Sequence, residues 1–288
     1  MSQLDNKTVV ITGGTRGFGL AMAQACAQAG AKLVICSRSR EAVEQAVDHL
    51  RELGAQAGGI ACDVSDLEQV QALAEYATKV FGGFDVWINN AGISPPYGPT
   101  IHVQPEDFVR TTQINLLGTY YGSLVAMRAF LKRGHGKLIN ILGVGDRKPQ
   151  PMQNAYASSK AWILNFTKAL AEEYNDSGVG VFALNPGMMD TDMLLDVEVV
   201  QGYEKRLDVL DTVMRVLSQQ PEIPAQKAVW LASKKTDGRT GLVVRELTTL
   251  KMIRGALGEL ARRLSHRPGR PIDIHISPIE AAFPVRDN

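Results

Sequence analysis

The feature that most constrains the fold of this 288-residue chain is a glycine-rich run, Thr12–Gly19, with the sequence TGGTRGFG. It follows a short β-branched strand pattern, Thr8–Thr12, and precedes a helix-like stretch that continues to about Ala29. Glycines let the backbone approach a pyrophosphate closely, and the first helical turn supplies N–H donors and positive potential. This setting predicts a dinucleotide-binding unit and disfavours the alternative, an ordinary glycine-rich turn.

Strand and helix patterns alternate along the rest of the chain. Short apolar runs predict further strands at Lys32–Cys36, Gly59–Cys62, Val86–Asn89, Lys137–Leu142, Gly180–Leu184 and Thr240–Arg245. Longer stretches predict helices at Arg40–Leu53, Leu67–Phe81, Phe108–Leu131, Tyr156–Asn175 and Pro224–Ala232. Such alternation is typical of a parallel sheet covered by helices on both faces. We therefore expect an α/β protein with a three-layer, doubly wound, Rossmann-type fold and a mostly seven-stranded parallel sheet.

Two segments interrupt this alternation. Met188–Gln220 is a long insertion rich in methionine, leucine and charged residues, which we interpret as a lid over the substrate. Leu247–Asn288 is a tail that is basic and helical over Lys251–Leu264 and then punctuated by prolines, where we expect irregular structure. We therefore assign residues 1–246, with the lid at 188–220, to one domain. Residues 247–288 form a C-terminal extension that packs on this domain or on a partner subunit.

Composition narrows the classes of function. The chain is 45% hydrophobic and 21% charged, and its net charge of +1 gives no broad attraction to nucleic acids or membranes. Three scattered cysteines, Cys26, Cys36 and Cys62, are expected to be reduced core residues. The histidines form no metal-ligand spacing, so we expect no catalytic metal. No apolar run is long enough to span a membrane, and the first strand leaves no room for a signal peptide, so we expect a cytoplasmic protein.

The residues after the second strand bear on the choice of nucleotide. An acidic residue there would hydrogen-bond the ribose hydroxyls of NAD, but this chain has the sequence CSRSR over residues 36–40. Arg38 could pair with a 2′-phosphate through its planar guanidinium group, and Arg16 could reach the same phosphate from the glycine-rich turn. Two cations and no acid favour NADP(H). The alternative is that Arg38 and Arg40 are solvated loop cations.

A second motif, Tyr156-Ala157-Ser158-Ser159-Lys160, places a phenol and an ammonium group one helical turn apart. A phenol ionises at about pH 10 in water, and a nearby ammonium group favours the phenolate and lowers the phenol pKa. Such a pair suits proton exchange with an alcohol or carbonyl oxygen. The spacing alone is common on helix surfaces, so its weight comes from the glycine-rich unit that precedes it.

Together these motifs resemble the single-domain branch of the short-chain dehydrogenase/reductase superfamily, over about residues 5–246. The resemblance rests on six motifs in the family's order: Thr12-Gly13-x-x-x-Gly17-x-Gly19, Asp63-Val64, Asn89-Asn90-Ala91-Gly92, Asn115, Tyr156-x-x-x-Lys160 and Pro186-Gly187-x-x-x-Thr191. It implies an oxidoreductase in which Tyr156 is the acid/base and Lys160 holds the nicotinamide ribose. Asn115 would kink its helix and hold a water of the proton relay.

The resemblance also implies which residues contact the cofactor. In chain order they are Gly13, Thr15, Arg16, Gly17, Phe18, Gly19, Arg38, Asp63, Val64, Asn90, Ala91, Gly92, Tyr156, Lys160, Pro186, Gly187 and Thr191. Asp63 and Val64 would meet the adenine end, whereas Thr191 would touch the nicotinamide end. Structural alternatives stay open: Asn89 and Asn90 could cap turns, and Asp63 could cap the helix that follows it.

One position departs from the family pattern. The family usually has a catalytic serine thirteen residues before the tyrosine, where this chain has Gly143. That serine donates a hydrogen bond to the substrate oxygen, and losing such a donor costs about 10²–10³ in rate. Gln153 or Asp146 could replace it, or the substrate could carry its own donor or an activated carbonyl. Alternatively, the protein could have lost much of its reductase activity.

The substrate is expected at the carboxyl ends of the strands, between the segments Ile93–Pro99, Val144–Gln153 and Met188–Tyr203. Methionine-rich apolar walls adapt to bulky apolar ligands, although these methionines could simply pack the lid against the core. The candidate substrate contacts are Tyr97, Gly143, Gln153 and Met188.

The sequence thus predicts an NADP(H)-dependent oxidoreductase that interconverts a ketone and a secondary alcohol on a hydrophobic small molecule. The alternative is a non-redox or weakly redox protein on the same scaffold, such as a cyclase, an isomerase or a cofactor-binding protein, because the serine is missing. Relatives in this family pair through two long helices, here about Phe108–Leu131 and Tyr156–Asn175. We therefore expect a homodimer or homotetramer, without nucleic-acid or membrane partners.

Overall fold

A parallel sheet forms the centre of the protein in the computed structural model, which describes residues 2–265 and 268–283. In chain order the strands are β1 (Thr8–Thr12), β2 (Lys32–Ser37), β3 (Ala57–Ala61), β4 (Val86–Asn89), β5 (Gly136–Ile141), β6 (Val179–Asn185), β7 (Met188–Met189), β8 (Asp196–Val200), β9 (Ser218–Gln219), β10 (Val243–Arg245) and β11 (His275–Ile279). Seven of them form one sheet in the order β10-β6-β5-β4-β1-β2-β3. All of its pairings are parallel, so the predicted doubly wound sheet is confirmed.

Helices cover both faces of this sheet. In chain order they are α1 (Gly17–Gln28), α2 (Arg40–Glu52), α3 (Leu67–Phe81), α4 (Pro105–Thr112), α5 (Gly118–Arg133), α6 (Asn154–Glu173), α7 (Asp192–Leu195), α8 (Leu210–Leu217), α9 (Glu222–Ala232) and α10 (Thr249–Leu264). Successive strand residues face opposite layers: Val9 and Ile11 pack with α1, α2 and α9, whereas Val10 packs with α3 and α5. The three-layer architecture follows from this alternation.

The predicted helix Phe108–Leu131 begins earlier and contains a π-helical turn. It runs as α4, then a π-helical turn at Gln113–Leu117, and then α5. Asn115 lies in the middle of the π-helical turn and is fully buried. Single π turns are common at functional sites because they re-aim a side chain within a helix. The π-helical turn thus interrupts the helix at Asn115, where the family resemblance implies a kink.

A buried polar network fixes α5 and α6 against the sheet. The Asn89 amide nitrogen donates to Ser123 Oγ at 3.1 Å and to Asn140 Oδ1 at 2.9 Å, and Asn89 Oδ1 accepts from the Trp87 indole at 2.8 Å. Asn140 in turn donates to Thr167 Oγ1 of α6 at 3.0 Å. Asn89 is thus a buried bridge between a strand and two helices, and not the turn cap that the sequence left open.

The lid and the tail form structure of their own on the carboxyl side of the sheet. Within the lid, β7 pairs with β9, and β8 pairs in parallel with β11 of the tail. The expectation of irregular structure after residue 264 was therefore wrong for His275–Ile279. Pro278 fits because β11 is the outer strand, where a missing N–H leaves no ladder partner unsatisfied. Of the extension, residues 266–267 and 284–288 lie outside the described residues.

The cysteines, the potential metal ligands and the apolarity of the helices can be compared with the sequence over the described residues. The three cysteines are buried and unbridged. Within residues 2–265 and 268–283, no group of histidine, cysteine, aspartate or glutamate side chains has the arrangement of a metal site. In the same part of the chain, no helix combines the length and apolarity needed to cross a bilayer.

Candidate active site

The glycine-rich turn packs tightly against the end of β4. Gly13 has φ +64°, and a Cβ at this position would lie 2.9 Å from the Ala91 Cα. The Asn90 amide nitrogen donates to the carbonyl oxygens of Thr12 and Gly13, both at 3.0 Å. A Cβ on Gly19 would overlap the Gly13 carbonyl oxygen. Glycine is therefore required at both positions, and Asn90 braces this turn instead of capping one of its own.

The first turn of α1 suits an anionic ligand. Its N-cap residue, Arg16, is extended and contributes no side-chain cap, and the first turn contains no acidic residue. The free N–H groups there would meet a pyrophosphate without competition from a carboxylate. Phe18 points into the core, where it is 7% exposed, so only its backbone faces the turn. The residues present therefore fit the dinucleotide that the sequence predicts.

The lid comes close to this turn. A Cβ on Gly17, which has φ +53°, would lie 3.6 Å from Thr191 Cγ2. Arg16 Nη1 lies 3.4 Å from Asp192 Oδ2, with both side chains largely exposed. An exposed pair of this kind contributes little to stability. Arg16 is thus directed to the lid in this structure, and its contact with a 2′-phosphate stays a prediction.

Arg38 lies at the edge of a cavity of about 530 Å³ near the end of β2. The other lining residues are Asp63, Ser65, Pro105, Glu106, Val109, Arg110, Gln113 and Ile114. Asp63 Oδ1 accepts from the Ser65 N–H at 2.9 Å, whereas the cap of α3 is Asp66. Asp63 is therefore not the helix cap, and Val64 beside it is buried. Arg110 was missed because nothing in the sequence brings α4 to this cavity.

Lys160 and Asn115 converge behind Gly92. Lys160 is 5% exposed, and its Nζ donates to the Ile141 carbonyl oxygen at 3.1 Å. A Cβ on Gly92 would lie 3.2 Å from Asn115 Oδ1 and 3.7 Å from Lys160 Nζ. Asn115 also holds Ile93 through two backbone hydrogen bonds of 2.9 and 3.0 Å. Burial lowers the pKa of the Lys160 ammonium group to about 8.

Tyr156 is partly buried, and its hydroxyl end is packed against Gly143. Lys160 Nζ lies 5.4 Å from the centre of the Tyr156 ring. Burial nevertheless raises the pKa of the Tyr156 phenol to about 12. The sequence-based expectation of a lowered Tyr156 pKa was wrong for this state, because the Lys160 ammonium group is directed to the Ile141 carbonyl and desolvation disfavours the phenolate.

Gly143 leaves space that the tyrosine uses. A Cβ built on Gly143 would overlap the Tyr156 hydroxyl oxygen and lie 3.1 Å from Tyr156 Cζ. A serine at this position could therefore be accommodated only if the tyrosine moved. The Gly143 carbonyl oxygen accepts from Asn185 Nδ2 at 3.0 Å, and Asn185 Oδ1 accepts from the Gly187 N–H at 3.0 Å. Asn185 ties the two loops together and was missed, although it directly precedes the Pro186-Gly187 motif.

The two proposed substitutes for the serine differ in availability. Asp146 is paired with Arg245 at 2.5 Å, and its side chain is 9% exposed, so it is already engaged as an acceptor. Gln153 occupies the N-cap position of α6 without a side-chain cap, and its Nε2 lies 3.4 Å from Ser94 Oγ. Gln153 and Ser94 therefore form a polar pair between the loop before α6 and the loop after β4. Ser94 was not singled out in the sequence.

Two of the candidate substrate contacts, Tyr97 and Met188, lie in the segments that close over the site. The Tyr97 N–H donates to the Glu198 carbonyl oxygen at 2.8 Å, which joins this loop to β8 of the lid. Met188 is partly buried in β7, opposite Ser218 of β9. The structure therefore brings the loop after β4 and the lid together, as the sequence predicts.

Comparison with known proteins identifies the family. Residues 7–199 match the short chain dehydrogenase family model. The 3beta-hydroxysteroid dehydrogenase 1 of Eggerthella lenta is 37% identical over 83% of this chain and 91% of its own length. A 3-ketoacyl-(acyl-carrier-protein) reductase from Brucella melitensis complexed with NADH superposes with a TM-score of 0.75 and 29% identity, over 84% of this chain and 97% of that one. An actinorhodin polyketide ketoreductase variant with NADPH gives a TM-score of 0.77 and 28% identity, over 87% and 99%. The chain therefore belongs to the short-chain dehydrogenase family of oxidoreductases.

Proposed function

We propose that the protein is an NADP(H)-dependent oxidoreductase that interconverts a ketone and a secondary alcohol on a hydrophobic small molecule. The observation that carries this proposal is a continuous line of contacts from the phosphate turn to the acid/base. Gly13 packs on Ala91, and the next residue, Gly92, lies beside Lys160. Lys160 in turn lies beneath the Tyr156 ring. A nicotinamide that follows this line would place its reactive face next to the Tyr156 hydroxyl.

The residues divide the chemistry between them. When bound, the nicotinamide supplies a hydride to the carbonyl carbon or accepts one from the alcohol carbon. In reduction, Tyr156 gives its proton to the carbonyl oxygen, and a raised pKa keeps the phenol protonated at neutral pH. In oxidation, Tyr156 must act as the phenolate, which the Lys160 ammonium group would stabilise. The Ile141 carbonyl oxygen, which accepts from Lys160 Nζ at 3.1 Å, holds Lys160 in place for both directions.

The hydrophobic substrate is inferred from the walls of the site. Met188 and Met189 lie partly buried in β7, and Met193 follows on α7 with 43% exposure. Flexible thioether side chains adapt to large apolar ligands. The Tyr156 hydroxyl fills the space that Gly143 leaves, so the glycine costs the site one hydrogen-bond donor. Tyr156 alone would then polarise the carbonyl, which favours ketones that are already activated.

Turnover of NADPH with a panel of ketones tests the reaction. We expect bulky apolar or activated ketones to be reduced, as followed by the loss of absorbance of the reduced nicotinamide, and small polar ketones to react poorly. Binding of NADPH without turnover on any carbonyl would support the non-redox alternative. The comparisons do not favour that alternative, since the named relatives are dehydrogenases and reductases.

The preference for NADP(H) is inferred from Arg38, which lines the cavity at the end of β2. We expect titration to give a Kd for NADPH at least several-fold below that for NADH. Arg38→Asp should abolish this difference, because a carboxylate repels a 2′-phosphate and accepts from ribose hydroxyls. Arg40→Asp is the matched control, since Arg40 is exposed but does not line the cavity. Equal or tighter binding of NADH by the unchanged protein would contradict the proposal.

A homodimer or homotetramer is inferred from an apolar face shared by α5 and α6. The Trp162 ring is stacked on the Phe166 ring with 4.8 Å between their centres, and the centre of the Tyr120 ring lies 6.3 Å from that of Phe166. Tyr120 is 41% exposed and Trp162 36% exposed, so this aromatic surface is available to a second copy. Light scattering should give a mass of two or four times 31.3 kDa. A monomer mass at micromolar concentration would contradict this inference.

A further inference from the structure

The C-terminal tail ends as a strand against the lid. β11 pairs with β8 from His275↔Asp196 to Ile279↔Val200, and the Gln201 N–H donates to the Ile279 carbonyl oxygen at 2.9 Å. The opposite edge of β8 contacts the loop after β4, where the Val200 N–H donates to the Tyr97 carbonyl oxygen at 2.9 Å. β8 therefore lies between the tail strand β11 on one edge and Tyr97, a candidate substrate contact, on the other.

The loop that carries Tyr97 is also connected to the loop Val144–Gln153, which precedes α6. The Gly98 N–H donates to the carbonyl oxygen of Met152 at 2.9 Å, and Met152 has φ +70°, which is rare for a side chain of this size. A Cβ on Gly98 would lie 2.5 Å from Val200 Cγ2, so the lid strand and this loop are in close contact. A shift of β8 would therefore move both the loop that carries Tyr97 and the loop that contains Met152.

An ion pair fastens the tail to the nicotinamide end of the lid. Asp190 is one residue before Thr191, and its side chain is 15% exposed. Its carboxylate accepts from Arg270 Nη1 at 2.5 Å, from Ser218 Oγ at 2.6 Å and from Gln220 Nε2 at 3.0 Å. Burial makes an uncompensated carboxylate costly, so removing its cation should loosen this segment.

Two further contacts hold the tail in the same place. A Cβ on Gly255 of α10 would overlap the Val216 carbonyl oxygen, so α10 lies directly on the lid helix α8. At the other end, the Ala282 N–H donates to the His102 carbonyl oxygen at 2.9 Å, and His102 Nδ1 lies 2.8 Å from the Phe283 carbonyl oxygen. These tail contacts go to the lid and to the loop after β4, which are the elements that close over the substrate.

We propose that Arg270 is a positioning residue for the substrate site, acting through Asp190 to hold the lid over the nicotinamide and the substrate. The tail strand β11 acts with it by fixing β8, and through β8 the position of Tyr97. Arg270 touches neither the substrate nor the cofactor, so its effect is on the closed state of the lid. The kinetic part of this proposal rests on the proposed function, whereas the structural part does not.

Hydrogen exchange of the full-length protein tests the structural part directly. In Arg270→Ala we expect the amides of β8 and of residues 188–191 to exchange about tenfold faster, because local opening becomes cheaper. Exchange in β1 and the melting temperature should stay unchanged. Arg270→Lys should restore part of the protection by supplying one cation. Arg254→Ala is the matched control, an exposed arginine on the same tail that should exchange like the unchanged protein.

Binding and turnover test the functional part. We expect Arg270→Ala to raise KM for a ketone several-fold with a smaller change in kcat, and to raise the Kd for NADPH, since Thr191 adjoins Asp190. Unchanged exchange in β8 would overturn the proposal. Faster exchange with unchanged KM and Kd would also overturn it, because the lid would then be held without consequence for the site. If no ketone is turned over, the proposed function fails by itself, and exchange together with NADPH affinity still decides the role of Arg270.

Discussion

The central sheet and the lid-and-tail region are held together by different forces. In the sheet region, Val9, Val10 and Ile11 are fully buried, and the polar groups inside are mostly neutral amides and hydroxyls such as Asn89 and Asn140. The lid and the tail are linked by short strand pairings and by charges. The ion pair Asp190–Arg270 joins the lid to the tail, whereas Glu246–Lys251 joins the residue before the tail to α10 and Glu259–Arg262 lies within α10. Apolar residues of α10 remain in solvent, with Leu257 59% exposed.

This difference separates two tasks. Apolar burial fixes a rigid scaffold, and the helix α6 that carries Tyr156 and Lys160 belongs to it. Backbone pairings and ion pairs at the surface are individually weaker, so the lid and the tail are expected to open locally more easily than the sheet. Chemistry is therefore expected to depend on the sheet region, and substrate choice on the lid and the tail.

The largest expected effect comes from removing the proposed acid/base, Tyr156, on the scaffold. Tyr156→Phe deletes only the hydroxyl, so turnover should fall by about 10²–10⁴, while the Kd for NADPH stays nearly unchanged. Steady-state kinetics and a cofactor titration measure the two quantities. A variant that keeps most of its activity would show that Tyr156 is not the proton donor.

Large apolar side chains in the two regions should differ strongly in their effect on stability. Phe182 is fully buried in β6, so Phe182→Ala should lower the free energy of unfolding by about 3–5 kcal/mol. Leu257 lies in the tail helix and is largely exposed, so Leu257→Ala should change it by less than about 0.5 kcal/mol. Urea unfolding measures both. A comparable loss at Leu257 would mean that a second copy or another protein covers this face of α10 in solution.

Gly143 lies just after β5, at the start of the loop that leads to α6. Because a Cβ there would overlap the Tyr156 hydroxyl, Gly143→Ser should displace the tyrosine and lower turnover by roughly 10-fold to 100-fold. Gly143→Ala is the matched control, since it brings the same Cβ without a hydroxyl. Equal losses in the two variants would assign the effect to crowding. Higher turnover with serine than in the unchanged protein would mean that a lost donor outweighs the space gained.

The last expected effect concerns pH and the buried Lys160. Burial lowers the pKa of this ammonium group from 10.5 to about 8, so the charged form destabilises the folded state. This destabilisation is complete below about pH 8 and disappears as the pH rises to 10.5. Lys160→Met should therefore be more stable at pH 7, by on the order of 3 kcal/mol, with the difference vanishing in alkaline solution. Thermal unfolding across pH measures it, and a variant less stable at pH 7 would show that the charge is compensated.

Local patterns predicted the scaffold well. β4 at Val86–Asn89 and α3 at Leu67–Phe81 have the bounds expected from apolar runs and periodicity. The glycine-rich turn was recognisable because its function requires glycine at fixed positions after a strand. These features depend on residues that are near one another in the chain, so a sequence is sufficient to find them.

The lid-and-tail region was predicted less well for the opposite reason. Prolines near residue 278 suggested irregular structure, and only the neighbouring strand β8 shows that an outer strand tolerates them. The pKa of Tyr156 was expected to fall, because the sequence shows the nearby lysine but not the burial of the phenol.

The sequence by itself determined the order of strands and helices, the glycine-rich turn and the spacing of Tyr156 and Lys160. Only the tertiary structure decided that the Tyr156 hydroxyl fills the space beside Gly143, and that Asp190 is held by Arg270, eighty residues further along the chain. The physical reason is that helix and strand periods are local properties, whereas packing and charge pairing depend on which distant segments the fold brings together.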